Sequence, residues 1–370
     1  MVDPNRQIHF LDVLRGAAAW LVVWDHLFVV YPEHHGITLP VVHVVNRTIN
    51  EPLGLIQHFG WFGVCLFFLI SGFVITHVSL REQAAEFVVK RVFRIFPMLA
   101  LAVVVAIALD DSLRAQATPL TVATNMVLVN YWIHPQVVLV GVAWTLAIEI
   151  LFYFWTAASY PLKDWPATRC ALLLLVVIGI VAVSREFGPS FFLFAASSAY
   201  LPYLAVGQVL YLLLYQRAIG AMAALALLAL AYAALLFGLR SIHVQFLPID
   251  NSYLVSFVFA LAVFLLGWAL NDRLRPGRVT RLLADTSYSV YLFHGIVGFF
   301  LLGRLIPSAG FGVALAVTVP AMFAFVLLVH HTIEKPTLNA GRWLARRVAP
   351  RHRTTAGQVG EALQPRRPAS

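Results

Sequence analysis

Apolar stretches of about 20 residues, enough to cross a hydrocarbon core about 30 Å thick, recur along nearly the whole chain. They fall at 10–31, 58–79, 95–109, 142–161, 170–184, 191–215, 219–238, 252–270, 286–303 and 311–333, with polar joints between them. In lipid only closed barrels and helices satisfy their backbone polar groups. Runs of this length therefore predict an all-α, polytopic integral membrane helical bundle of about ten transmembrane helices. An eleventh stretch, LTVATNMVLVNYW at 120–132, is short and studded with Thr and Asn. It is predicted to be re-entrant or interfacial. One membrane domain is expected over 1–338, followed by a basic, Pro-rich tail over 339–370. That tail is too polar to bury a core, so disorder is expected beyond its first turns, on a segment suited to anionic lipid.

Composition agrees with this reading. Of the 370 residues 61% are hydrophobic and 12% charged, against about 25% charged in a soluble domain; mean hydropathy is +0.82. The net charge of +9 does not imply nucleic acid, because Lys and Arg sit between the apolar runs, where membrane topology needs them. With a cytoplasmic N-terminus and a non-spanning 120–132, all of the 26 Lys and Arg except Arg47, Arg114, Arg185, Arg240 and Arg304 face the cytoplasm. A crossing at 120–132 would reverse that asymmetry. The expectation is a multi-pass protein of the cell (inner) membrane with both termini cytoplasmic. The two cysteines, Cys65 and Cys170, lie in apolar surroundings and read as packing residues. The first run is long and retains polar residues, unlike a cleavable signal peptide. No sequence signal sets an oligomeric state.

The polar residues inside apolar runs carry the chemistry. The first span, LDVLRGAAAWLVVWDHLF, holds Arg15, Asp25 and His26, and a charge near the bilayer centre costs about 2.5–3.5 kcal/mol even on the lenient scale. Arg15 and His26 are 11 residues apart, close to three full turns, so they share a face about 16 Å apart along the axis. That spacing predicts a polar track through the bundle. Asp12 sits one turn before Arg15 and can pair with it; snorkelling to the interface is the competing role for Arg15. His26 is a natural proton acceptor. Asp25, about 100° further round, is expected to face elsewhere and serve packing.

Other candidates follow along the chain. Ser71-Gly72 in the second span allows close backbone approach, and Ser71 lacks the context of a nucleophile elbow. In REQAAEFVVKRVFRIFP, a charged amphipathic segment, Lys90, Arg91 and Arg94 stand before the third span. Arg91 and Arg94 lie on one face and can grip a phosphorylated ligand in forked fashion; fixing topology is the alternative. Glu149, in VAWTLAIEILFYFW, falls mid-span and must be protonated or paired, with Arg15, His26 or a ligand as partner. Trp144 opens the same span. Tyr288, Tyr291 and His294, in SYSVYLFHG, share a face. The first outer loop, about 32–57, contains Glu33, His34, His35 and His43, and HHTIEKP closes the last span with Glu334 and Lys335. No HExxH or paired-Cys spacing, P-loop or dinucleotide fingerprint is present, so neither a metal site nor a permanently bound cofactor is expected.

Taken in order, FLDVLRGAAAWLVVWDH, LFFLISGFVI, RVFRIFP, WTLAIEILFYF, SYSVYLFH and IEKP resemble the acyltransferase type 3 family of integral-membrane O-acyltransferases, over about residues 8–336. The resemblance implies transfer of an acyl group, usually acetyl, from cytoplasmic acyl-CoA to a hydroxyl of a carbohydrate or glycosylated acceptor. His26 falls on the family's essential histidine, Arg15 on its arginine partner, and Arg91 and Arg94 on the arginine pair linked to the donor. Glu149 and Tyr288 fall on family positions of less settled role. Thr145 stands where the family more often has Ser, and the hydrolase-like domain fused to some members has no counterpart here. The alternative is a proton-coupled secondary transporter working through His26, Glu149 and Arg15. It predicts an internal repeat, and the sequence displays none.

Overall fold

A computed structural model describes residues 8–55, 59–242 and 252–348. Among these residues there are helices and turns and no strand. The principal helices are α1 (His9–His34), α2 (Gly60–Ser79), α3 (Ala84–Leu109), α4 (Trp144–Ala158), α5 (Pro166–Ala182), α6 (Pro189–Tyr215), α7 (Ala221–Ser241) and α8 (Ser252–Ala269). A long helical segment from Arg278 follows, and Lys335–Val348 ends the described chain. Among the described residues seven helical segments are long and apolar enough to cross a membrane, and α5 and α8 are shorter apolar helices.

The segment Arg278–Val329 would measure about 78 Å if straight, at 1.5 Å per residue. It is not straight. Ser289 donates to Glu334 Oε2 at 2.5 Å, and the rings of Phe293 and Phe325 meet at 5.4 Å. Residues so far apart in sequence touch only if the chain doubles back. The reversal lies at Gly310, whose φ of 71° is open to glycine and strained for other residues. The two arms are α9 (278–309) and α10 (311–334), and Lys335–Val348 is α11. Each of the ten predicted spans then lies on one of α1–α10.

α2 sits at the centre, against α1, α6 and α8. Its contact with α6 is backbone to backbone. A Cβ built on Gly72 would stand 1.9 Å from the Leu204 carbonyl oxygen, and one on Gly207 2.2 Å from that of Leu69. The small-residue signal at Ser71-Gly72 thus marks a real helix crossing. Aromatic side chains fill both ends. Phe10 meets Phe73, Phe264 and Trp268 edge to face near the start of α1. Trp61, Tyr203 and Tyr253 do so near the other end.

The stretch 120–132 does not span. Pro119–Met126 is an eight-residue helix, about 12 Å long, and a single turn at Val129–Trp132 follows. Its asparagines serve the loop. Asn125 donates to the Val137 carbonyl and accepts the Leu139 N–H, and Asn130 also donates to Val137. The loop so fixed delivers 139–142 to the bundle as a wall.

Arg169 counts as a topology signal in the sequence, yet it is buried. Its guanidinium donates to Ser159 Oγ at 2.6 Å and to the Thr156 carbonyl, capping the end of α4, where a helix leaves carbonyls unpaired. α11 packs on α3, with Gly341 against Phe93. It carries the chain to Val348; the rest of the basic tail, 349–370, lies outside the described residues.

Candidate active site

Two histidines from opposite ends of the sequence meet inside the bundle. His26 Nδ1 lies 2.6 Å from His294 Nε2, with the rings stacked at 4.8 Å between centroids. His294 Nδ1 lies 2.8 Å from the Tyr291 carbonyl and 3.1 Å from that of Val290. A carbonyl only accepts, so His294 Nδ1 carries the hydrogen and its Nε2 the lone pair. His26 Nδ1 must then donate, which leaves the lone pair of His26 on Nε2. His26 keeps 26% of its side-chain surface while His294 has none exposed. The pair therefore presents one basic nitrogen, Nε2 of His26, to the spaces around it. His294 is a positioning residue for it.

Local backbone explains the aim of this group. α1 widens into π-helix over Asp25–Val30, a form concentrated at functional sites. Asp25 and His26 lie three and four residues after Val22, and with Val29 and Val30 they form one broad helical stripe. The expectation that Asp25 faces elsewhere is thus overturned: both residues line one cavity of about 480 Å³, together with Glu33, Trp61 and Trp144. A second cavity of about 420 Å³ reaches His26 past Leu109, Trp144, Ile296 and Phe299 and is mainly apolar. Trp144 borders both, stacked on Trp61 at 6.2 Å with planes 5° apart.

Towards the N-terminal end of α1 lies a different space. Arg15, Ser71, Arg91, Arg94, Glu149 and Tyr288 line a cavity of about 100 Å³. It adjoins a polar one of about 360 Å³ that shares Arg15, Arg94 and Tyr288 and adds Glu334, Lys335 and Arg342. Arg94 lies over the Tyr288 ring at 5.8 Å, and Arg91 between Phe87 and Tyr153. The Nε atoms of Arg15 and Arg91 are buried without a hydrogen-bond partner among the described residues. Buried donors left open in this way call for an acceptor. Forked guanidiniums match phosphate or carboxylate oxygens.

The remaining predicted residues divide around these spaces. Asp12 pairs with Arg15 at 3.4 Å, as the spacing predicts. Glu149 accepts the Tyr153 hydroxyl, a partner the sequence analysis does not name. Lys90 is held by Glu82 at 2.6 Å and Glu86 at 2.5 Å and does not line the arginine cavity. Tyr288, Tyr291 and His294 do form one track. Tyr288 faces the arginine cavity, Tyr291 borders both that cavity and the one at Asp25, and His294 ends on His26. Tyr291 and Val64 are the walls common to the two sides. The Tyr291 hydroxyl is fixed by Thr145 Oγ1 at 2.8 Å and lies 3.2 Å from the Val142 carbonyl.

A further buried group forms around Glu334, which accepts from Ser289 at 2.5 Å and binds His330 Nδ1 at 2.7 Å. His330 and Glu334 occupy another π stretch. The i,i+4 spacing of the two is visible in HHTIEKP, but Ser289 arrives only through the α9–α10 hairpin.

Replacing His294 with Ala should remove the acceptor that orients His26. Misplacement of a reacting group costs about 10²-fold in rate, so kcat is expected to fall by about that factor with KM little changed. His294→Gln, which can return an acceptor oxygen, should recover part of it. Equal kcat in His294→Ala and the unmodified protein would refute the positioning role.

Known proteins resemble the chain over most of its length. A family profile described as an acyltransferase domain matches residues 8–330. The chain is 30% identical over 333 residues to exopolysaccharide production protein ExoZ of Rhizobium meliloti (strain 1021), covering 83% of this chain and 97% of that protein. It is 25% identical over 324 residues to nodulation protein 10 of Rhizobium leguminosarum bv. viciae, covering 77% and 82% respectively. No solved structure matches the chain.

Proposed function

The chain belongs to the acyltransferase family whose domain spans residues 8–330, and from that premise we propose that it moves an acyl group, acetyl foremost, from acyl-CoA to a hydroxyl of a glycan. The carrying observation is the single free imidazole nitrogen of His26, on the far side of the Tyr291–Val64 wall from a cavity of three arginines, two of which, Arg15 and Arg91, hold a buried Nε with no hydrogen-bond partner among the described residues. A sugar acceptor agrees with the name of the exopolysaccharide production protein that the chain resembles. The charge asymmetry puts the arginine side in the cytoplasm of a cell membrane, where the donor would be met.

In this reading the CoA phosphates dock among Arg94, Lys335 and Arg342 at the mouth of the 360 Å³ cavity. The pantetheine arm runs past Arg15 and Arg91 towards Tyr291. His26 Nε2 takes the proton of the acceptor hydroxyl as its oxygen attacks the thioester carbonyl carbon. The C–S bond of the tetrahedral intermediate then breaks, and the CoA thiolate recovers the proton from His26. An ideal helix separates Arg15 from His26 by about 16 Å, so Arg15 serves the donor and not the oxyanion. Transport coupled to protons has no support from the family to which the chain belongs.

Radiolabelled acetyl-CoA supplied to the purified protein with extracted glycans should label the glycan. Substrate flux across vesicles without acyl transfer would reject this function. Arg94→Ala should raise the KM for acyl-CoA by about ten- to hundredfold, the worth of a charged hydrogen bond. The change in kcat should be smaller, as for ground-state binding. Arg94→Lys should lie between, keeping charge and losing the fork. An unaltered KM in Arg94→Ala would remove the arginine cavity from donor binding.

A further inference from the structure

We propose that Asp25 and His26 form a two-acceptor subsite for a vicinal diol on a sugar ring, in which Asp25 binds the hydroxyl beside the one that is acylated. The inference deepens the glycan-acceptor reading and rests on it.

Asp25 is 5% exposed, and its Oδ1 has no hydrogen-bond partner among the described residues. A buried carboxylate without partners is costly, and such groups are concentrated at functional sites. Its surroundings are shaped to hold it. A Cβ on Gly60 would lie 2.3 Å from Asp25 Oδ2, so the carboxylate stands in space that only glycine leaves free. Both Asp25 and His26 face the 480 Å³ cavity, and Trp61 and Trp144 also line it. Aromatic side chains give such a site apolar area for the body of a ring while polar groups address its edge.

Geometry restricts what can satisfy the pair. Asp25 Oδ2 lies 4.0 Å from His26 Nε2, too far for a direct hydrogen bond. The histidine relay makes Nε2 an acceptor, and a carboxyl group keeps an acceptor oxygen whether ionised or protonated. A single hydroxyl carries one proton and cannot donate to both. Two donors on adjacent atoms can, and neighbouring hydroxyls of a pyranose are spaced for it. The hydroxyl on His26 gives up its proton and reacts; the one on Asp25 stays bound and fixes which position faces the thioester. Glu33 at the mouth also borders an adjacent cavity of about 350 Å³, room for a further part of a glycan.

The test uses the purified full-length protein with radiolabelled acetyl-CoA, octyl glucopyranoside and its monodeoxy analogues, with the acylated position mapped on each product. Loss of the hydroxyl adjacent to the acylated one should lower kcat/KM by about ten- to hundredfold, and loss of a remote hydroxyl should change it little. In Asp25→Ala, and in Gly60→Ala whose methyl displaces the carboxylate, this preference should collapse to near unity. Equal kcat/KM for the neighbour-deoxy analogue in the unmodified protein overturns the inference without any variant. So does an Asp25→Ala protein that keeps the full preference. Either result, with transfer to glucoside intact, leaves the acyltransferase function standing. No acylation of any glucoside overturns the sugar-acceptor reading and this inference with it.

Discussion

His26→Ala is expected to lower acyl transfer by about 10²–10⁴-fold, the range that a positioned general base contributes, while the protein remains folded and membrane-inserted. The expectation follows from the hydrogen-bond order. His294 is committed to the Tyr291 carbonyl, so it cannot replace the lost base without surrendering its own orientation. Its Nε2 would also lose the His26 donor at 2.6 Å, an open buried acceptor worth about 1–3 kcal/mol of stability. The variant should therefore show a modest fall in unfolding temperature beside a large fall in kcat. Acyl transfer measured on protein that elutes as a single species separates the two effects. Full activity in that preparation would reject His26 as the base.

Gly72→Ala should be the most destabilising single-methyl change in the bundle. Its Cβ would meet the Leu204 carbonyl oxygen at 1.9 Å, an atom of a helix backbone that cannot rotate away like a side chain. Overpacking costs about 1–3 kcal/mol where side chains give way and more where they cannot, so a loss of about 3 kcal/mol or greater is expected. Gly207→Ala opens the same crossing from the other side. The two effects should therefore combine to less than their sum, as for sites that share a contact. Unfolding temperature in detergent, followed by size exclusion, measures both. The effect reaches the site, because α2 also carries Ser71 and Val64 on the cavity walls. An unchanged unfolding temperature in Gly72→Ala would show that α2 and α6 do not cross here.

Much of the site is legible in the sequence because it follows helical period. Arg15 and His26 lie on one helix, and Tyr288, Tyr291 and His294 on another, so spacing alone aligns each set. The Asp12–Arg15 pair is local for the same reason. The angle of about 100° between neighbours sends Asp25 away from His26, yet a stripe at i, i+3, i+4 and i+7 is broad enough to hold both. Side-chain competition at Lys90 is invisible from its charge alone: Glu82 and Glu86 hold it. Glu149 draws a partner from four residues on, Tyr153, where charge alone favours a distant arginine or histidine.

Length and polarity of the runs settle, without coordinates, that the chain is a helical membrane protein, since lipid admits so few backbone solutions. Period within each helix then fixes which polar residues share a face. What period cannot supply is the relation between helices. The contact of His26 with His294 spans 268 residues of sequence, and that of Ser289 with Glu334 needs the reversal at Gly310. Only packing of the helices decides which nitrogen holds the lone pair, and which carboxylate stands beside it.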